Sequence, residues 1–187
     1  MRILLLSLVL LSACSEGTGL QCPASTSTVG QYSLAFTAVH DAGECVAFDG
    51  GADAGPPVNL TLNNLPAKGS ALCVGKGTDG GPQPLLLVPD KGPNGRQLIL
   101  AEDGGFQFSN DAGIASGTAC VCDVAIVETL NGSLQTSGPF ALRPDGGLPP
   151  ITGITATLRD SISPSAASGC ICTLPCTVTY SVTGTLL

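Results

Sequence analysis

The residues best equipped for chemistry are nine cysteines: Cys14, Cys22, Cys45, Cys73, Cys120, Cys122, Cys170, Cys172 and Cys176. Two chemistries suit them. Oxidised in pairs they staple a fold, and as thiolates they bind a soft metal. Cys120-Val-Cys122 and Cys170-Ile-Cys172 are C-x-C pairs, the second followed by Cys176. The C-x2-C spacing usual for zinc is absent, and His40 is the only histidine. Period-two alternation places Cys170, Cys172 and Cys176 on the apolar face of one strand, or of two joined at Pro175, with Leu174, Val178, Tyr180 and Val182. The same parity groups Cys120 and Cys122 with Val124, Ile126 and Leu130, although Glu128 intrudes on that face. Cysteines on a core face favour disulfides, so Cys22, Cys45, Cys73, Cys120, Cys122, Cys170, Cys172 and Cys176 are the disulfide candidates. About 105 connectivities are open to eight cysteines. Both segments run on to Gly-x-Leu, at Gly132-Ser-Leu134 and Gly184-Thr-Leu186, and read as twin strands. The pairing expected from that repeat joins Cys120 and Cys122 to Cys170 and Cys172.

Other groupings carry less chemistry. Histidine-dependent nucleophilic catalysis would have to use His40, which ends a strand pattern beside Asp41-Ala-Gly43 and reads as an exposed or capping residue. No G-x-S-x-G, H-E-x-x-H or S-x-x-K occurs. Glu102 and Asp103 are adjacent carboxylates, but neighbouring strand residues point to opposite faces. Gly75-Lys-Gly77-Thr-Asp-Gly80 has the spacing of a phosphate loop, yet Gly81-Pro82-Gln83-Pro84 follows where a helix would have to start. It reads as a loop. No catalytic residue, metal ligand or cofactor is assigned.

The elements that must position the cysteines read as strands. Tyr32–Ala38, Val58–Leu62 and Ile154–Leu158 alternate apolar and polar residues, and shorter apolar runs lie at Ala71–Val74, Leu85–Val88, Gln97–Ala101 and Phe106–Phe108. Only Pro164 to Ser168 looks capable of a helical turn. Asp41, Asp49, Asp53, Asp79, Asp103, Asp111 and Asp145 each have Gly two positions on, which reads as turn chemistry between strands. A calcium reading competes, but no segment matches the 12-residue Asp-rich loop.

Composition agrees. Glycine (25) and proline (14) are abundant, aromatics make up 4% and tryptophan is absent, so the core must be aliphatic. Charged residues are 11% against the usual quarter. The net charge of −7 and seven scattered basic residues exclude a nucleic-acid surface, which needs clustered cations.

The N-terminus fixes an address. Met1-Arg2 precedes the apolar run Ile3–Leu11, too short to span a bilayer, which needs about 20 residues. Leu11-Ser12-Ala13-Cys14 resembles the lipobox of bacterial lipoproteins. That resemblance implies cleavage between Ala13 and Cys14, with Cys14 the lipidated, palmitate-bearing first residue. Ser15 in place of an inner-membrane-retaining aspartate then favours the outer membrane. Lipidation of Cys14 also leaves an even number of cysteines for disulfides. Residues 14–28 are expected to be the lipidated cysteine and a flexible Ser/Thr/Gly tether that Cys22 could pin, and 29–187 one domain.

The resulting expectation is an all-β domain, an antiparallel sandwich or irregular barrel, disulfide-stapled and joined by Asp-Gly turns. It is held to the membrane by lipid and binds an unknown protein or small molecule, or serves a structural role, without catalysis. The alternatives are an envelope enzyme of unknown activity, or a soft-metal-handling lipoprotein that uses the C-x-C segments.

Overall fold

A computed structural model of the chain describes residues 21–40, 43–45, 69–75, 84–89, 95–115, 122–143, 147–165 and 170–187. These contain eight strands: β1 (Thr26–Val39), β2 (Ser70–Gly75), β3 (Leu85–Pro89), β4 (Arg96–Leu100), β5 (Gly105–Ala115), β6 (Val124–Thr136), β7 (Ile151–Pro164) and β8 (Cys176–Leu186). Each pairs antiparallel with the next. β1 then pairs with β8, from Tyr32↔Leu186 to Val39↔Thr179, so the sheet closes as a barrel. The fold is all-β, and no helix occurs among the described residues.

Alternation decides which way each strand faces. In β6 Val124, Ile126 and Leu130 are buried, in β7 Ile154, Leu158 and Ile162, and in β8 Val178, Tyr180 and Val182. An eight-stranded barrel encloses a space that side chains can fill. Tyr32, Leu34, Leu72, Leu85, Leu98 and Phe106 complete that filling from the other strands. The outward positions of β7 and β8 are Thr155, Thr157, Arg159, Ser161, Thr179, Ser181, Thr183 and Thr185. A barrel that crosses a membrane shows an apolar band outward instead. These strands face their polar side out.

Disulfides tie the barrel to its connections. Cys22 bonds Cys73 on β2, holding the segment before β1 against the wall. Cys45 bonds Cys176 at the start of β8, where Gly43–Cys45 lies as a short parallel strap: Thr177 N–H donates to Gly43 O at 2.9 Å and Cys45 N–H to Thr177 O at 3.1 Å. Cys122 bonds Cys170, and Cys172 is also disulfide-bonded. Each bridge is worth about 2–4 kcal/mol by restricting the unfolded chain.

Several expectations change in detail. The C-x-C cysteines do not lie on the long strands: Cys122 precedes β6, while Cys170 and Cys172 precede Pro175, after which β8 begins. Proline cannot donate to a ladder, so the strand starts behind it. Pro164 closes β7, paired with Val124, and Ala166 to Ser168 of the expected helical turn lie outside the described residues. Thr26–Thr28, placed in the tether by composition, already pair with β2. Asp111-Ala-Gly113 is a bulge inside β5 and not a turn between strands, with Gly113 at φ 82°. Gly113 N–H donates to Asp111 Oδ1 at 2.9 Å, and Gly105 N–H donates to Asp103 Oδ1 at 2.9 Å in the β4–β5 turn. The Asp-x-Gly chemistry is the same in both; only the register differs. Asp41, Asp49, Asp53, Asp79, Asp145 and the Val58–Leu62 pattern lie outside the described residues.

The twin strands are β6 and β8, the two neighbours of β7. Gly132 faces Ala156 across the β6–β7 ladder, and an added Cβ there would collide with the Thr155 carbonyl, Ala156 and the Phe106 ring. Replacing Gly132 by Val is therefore expected to lower stability by about 1–3 kcal/mol through overpacking. Gly138→Ala, with nothing within 4 Å of its Cβ position, should change stability by less than about 0.5 kcal/mol. Denaturant unfolding of the two variants checks this, and equal effects would contradict the close approach at Gly132.

Candidate functional site

Among the described residues, three charged side chains point into the barrel at positions where alternation calls for apolar ones. Arg96 starts β4 at 7% exposure, Glu128 sits mid-β6 at 5%, and Asp160 is on β7 at 0%. Arg96 Nε–H donates to Glu128 Oε1 at 2.5 Å and Nη2–H donates to Oε2 at 2.8 Å. This planar two-point pairing is the strongest form a carboxylate–guanidinium contact takes. On its way from β4 to β6 the guanidinium passes the Phe108 ring of β5, with Cζ 5.9 Å from the ring centroid. The pair thus spans three strands.

Asp160 has no such partner. It stands directly opposite Glu128 in the β6–β7 ladder. Both its carboxylate oxygens are buried without a hydrogen bond. Burial, then the charge of Glu128, push its carboxyl up to about 7, against the opposing pull of Arg96. Arg96 gives its Nε–H and an Nη2–H to Glu128, and its remaining donors make no hydrogen bond to Asp160, so the pull of the cation does not offset burial. The Tyr180 phenol on β8 is raised too, by burial and then by the Asp160 charge. Elsewhere in the interior, burial lifts the Tyr32 phenol to about 12, and its hydroxyl donates to Ile151 O at 3.2 Å.

The sequence-assigned residues fall elsewhere. Cys22, Cys45, Cys73, Cys122, Cys170, Cys172 and Cys176 are all in disulfides. Bridging leaves these sulfurs without the thiolate that a soft metal needs. Among the described residues no group of three His, Cys, Asp or Glu is arranged to hold a metal ion. Ala13, Cys14 and Cys120 lie outside the described residues, as do Lys76 to Gly80 of the glycine loop. His40 is exposed and contacts Glu44 at 2.9 Å. Glu102 and Asp103 are exposed in the β4–β5 turn.

Two shallow surface grooves are described. One, of about 360 Å³, lies over the outer face of β6–β8 beside the Gly43 strap, with Val127, Arg159, Ser161 and Thr177 in its lining. The other, of about 390 Å³, sits at the β4–β5 turn with Ile99, Asp103, Gln107 and Asn131. Each contains a single charged side chain, so neither pairs an acid with a base.

Sequence reasoning marked Glu128 as an intruder but passed over Arg96 and Asp160. The signal was present: continuing Ile154, Ala156, Leu158 to Asp160 and Ile162, and reading Leu100, Leu98 back to Arg96, keeps the inward parity in both strands.

The buried carboxyl predicts a pH dependence. The unfolded chain releases the Asp160 proton near pH 3.8 and the barrel near 7. Between those values the folded state alone holds the proton, so the contribution of Asp160 favours folding in acid and is lost as pH rises from about 4 to about 7. The loss is on the order of 4 kcal/mol. Urea unfolding of wild type and Asp160→Asn at pH 4.5 and 7.5 measures it. The variant should gain relative to wild type at the higher pH, and parallel profiles would contradict a buried, proton-binding Asp160.

Comparison of the chain with protein-family models, curated proteins and solved structures returned no match, so the site is read from its own residues.

Proposed function

We propose that this chain is a lipid-anchored, non-catalytic barrel of the bacterial cell envelope that presents its outer face as a binding or structural surface. The observation that carries the reading is the cysteine ledger. Six cysteines pair among themselves and Cys172 is bonded as well. Of the nine, Cys14 and Cys120 remain to supply one partner for Cys172. One cysteine is therefore left without a bridge inside the chain, and lipidation of Cys14 in Leu11-Ser12-Ala13-Cys14 accounts for it. Disulfides of this density belong to an oxidising, exported compartment.

Two further features support it. The outward residues of β6–β8 are mostly hydroxyl and amide side chains, with Ser133, Gln135 and Thr155 joined at 3.1 Å. Such a wall has no need of a bilayer around it, and a lipid at the N-terminus would hold the barrel beside the membrane instead. Absence of catalysis is favoured because the ionisable cluster is sealed inside, away from either groove. The partner is a protein or small molecule, not nucleic acid, and the outer membrane is the favoured site because residue 15 is Ser.

Metabolic labelling with a radioactive fatty acid tests the anchor. Wild type should carry label and sediment with membranes. Cys14→Ser should lose the label while keeping its disulfides and its unfolding midpoint. Label persisting on the variant, or scrambled disulfides in it, would overturn the reading by making Cys14 a structural partner.

A further inference from the structure

Among the described residues, the seam between β4 and β5 has the shortest paired register in the barrel. Its described register comprises Ile99↔Gln107 and Leu100↔Phe106, although β5 continues to Ala115. Beyond Gln107 the two strands are joined from inside. Arg96, at the far end of β4, reaches across Phe108 and grips Glu128 on β6. This ion pair therefore acts as a buckle over a stretch of wall that ladder bonds do not close. Asn110 shows the consequence: it pairs with inward-facing Glu128, yet it is exposed.

Asp160 lies against that buckle, opposite Glu128, with both oxygens unpartnered. Among the described residues, the charged or titratable groups that act on it are Glu128 from β6, Arg96 from β4 and Tyr180 from β8. While Asp160 is protonated it makes no demand on Arg96, and Glu128 keeps the guanidinium in its two-point grip. Once ionised, Asp160 repels Glu128 across the ladder and competes for the same cation. Either response, a shifted guanidinium or a separated carboxylate, loosens the contact that holds β4 to β6.

We propose that Asp160 is a proton-operated latch on the β4–β5 seam: its neutral form leaves the Arg96–Glu128 buckle closed, and its ionised form releases β4 from the wall. The device is local. β6, β7 and β8 are joined by long ladders, the β6–β7 one shifting register only at Gln135/Thr136, and neither includes Arg96. The burial that lifts Asp160 toward neutrality puts the release near the pH of ordinary surroundings.

Amide hydrogen exchange on the full-length folded protein tests the latch, with protection corrected for the intrinsic effect of pH. The quantity is the protection of Gln97–Leu100 relative to the slowest amides of β6–β8, measured at pH 5.5 and 8.5. In wild type this ratio should fall about tenfold at the higher pH, the size expected for about 1.4 kcal/mol of local weakening. In Asp160→Asn it should stay constant. In Glu128→Gln, where ionised Asp160 becomes the only carboxylate for Arg96, the ratio should rise with pH. Loss of protection shared equally by all strands would overturn the latch, leaving only a global stability effect. So would a falling ratio that is the same in wild type and Asp160→Asn.

Discussion

Closure of β1 onto β8 is the constraint from which the rest of the molecule follows. Eight paired residues from Tyr32↔Leu186 to Val39↔Thr179 turn an eight-strand meander into a barrel without exposed end strands. Once closed, the sheet has a concave side that must be filled and a convex side that must be solvated. Every alternation in the sequence then has a fixed meaning. The core is aliphatic because there are few aromatics to use, and Leu, Ile and Val from all around the barrel meet there. The price of that arrangement falls on the ends, where strands emerge and turn. The Cys45–Cys176 and Cys122–Cys170 bridges both lie near the starts of β6 and β8.

Placing Arg96, Glu128 and Asp160 inside such a core works against the hydrophobic effect. A buried ion pair returns about as much as its desolvation costs, and an unpaired buried carboxyl returns less. The cluster is balanced only if Asp160 keeps its proton, because the interior then holds one cation and one anion. This makes the electrostatics of the barrel depend on a single proton. It also explains why Arg96 is drawn so far across β5: among the described residues it is the one buried cation, and Glu128 is its closest anion.

Much of this was legible in the sequence and some was not. Strand identity was legible because period-two alternation in Tyr32–Ala38, Ile154–Leu158 and Cys176–Leu186 is a direct image of inside and outside. Disulfide chemistry was legible from the parity and spacing of the cysteines, and Cys122–Cys170 is one of the pairings that the twin segments allowed. Their placement on one strand or two was left open at Pro175, because alternation continues formally through that residue while the ladder does not. Asp111-Ala-Gly113 was misread for a similar reason: Asp-x-Gly chemistry makes a bulge as readily as a turn, and only the partner strand distinguishes them. The charged cluster was half visible. Glu128 broke a pattern, but its partner lies 32 residues away on a strand that is not its neighbour. No local pattern carries that information.

On the proposed reading, the barrel's stability and its address draw on one set of atoms, the sulfurs, with Cys14 reserved for lipid and the others for bridges. The most direct measurement is the intact mass of the protein purified from its own membranes, taken before and after alkylation without reduction. The account predicts a chain beginning at Cys14, carrying acyl-glyceryl mass at that residue, and taking up no alkylating agent. An unlipidated chain, a chain that retains residues 1–13, or a thiol that alkylates in the folded protein would contradict it.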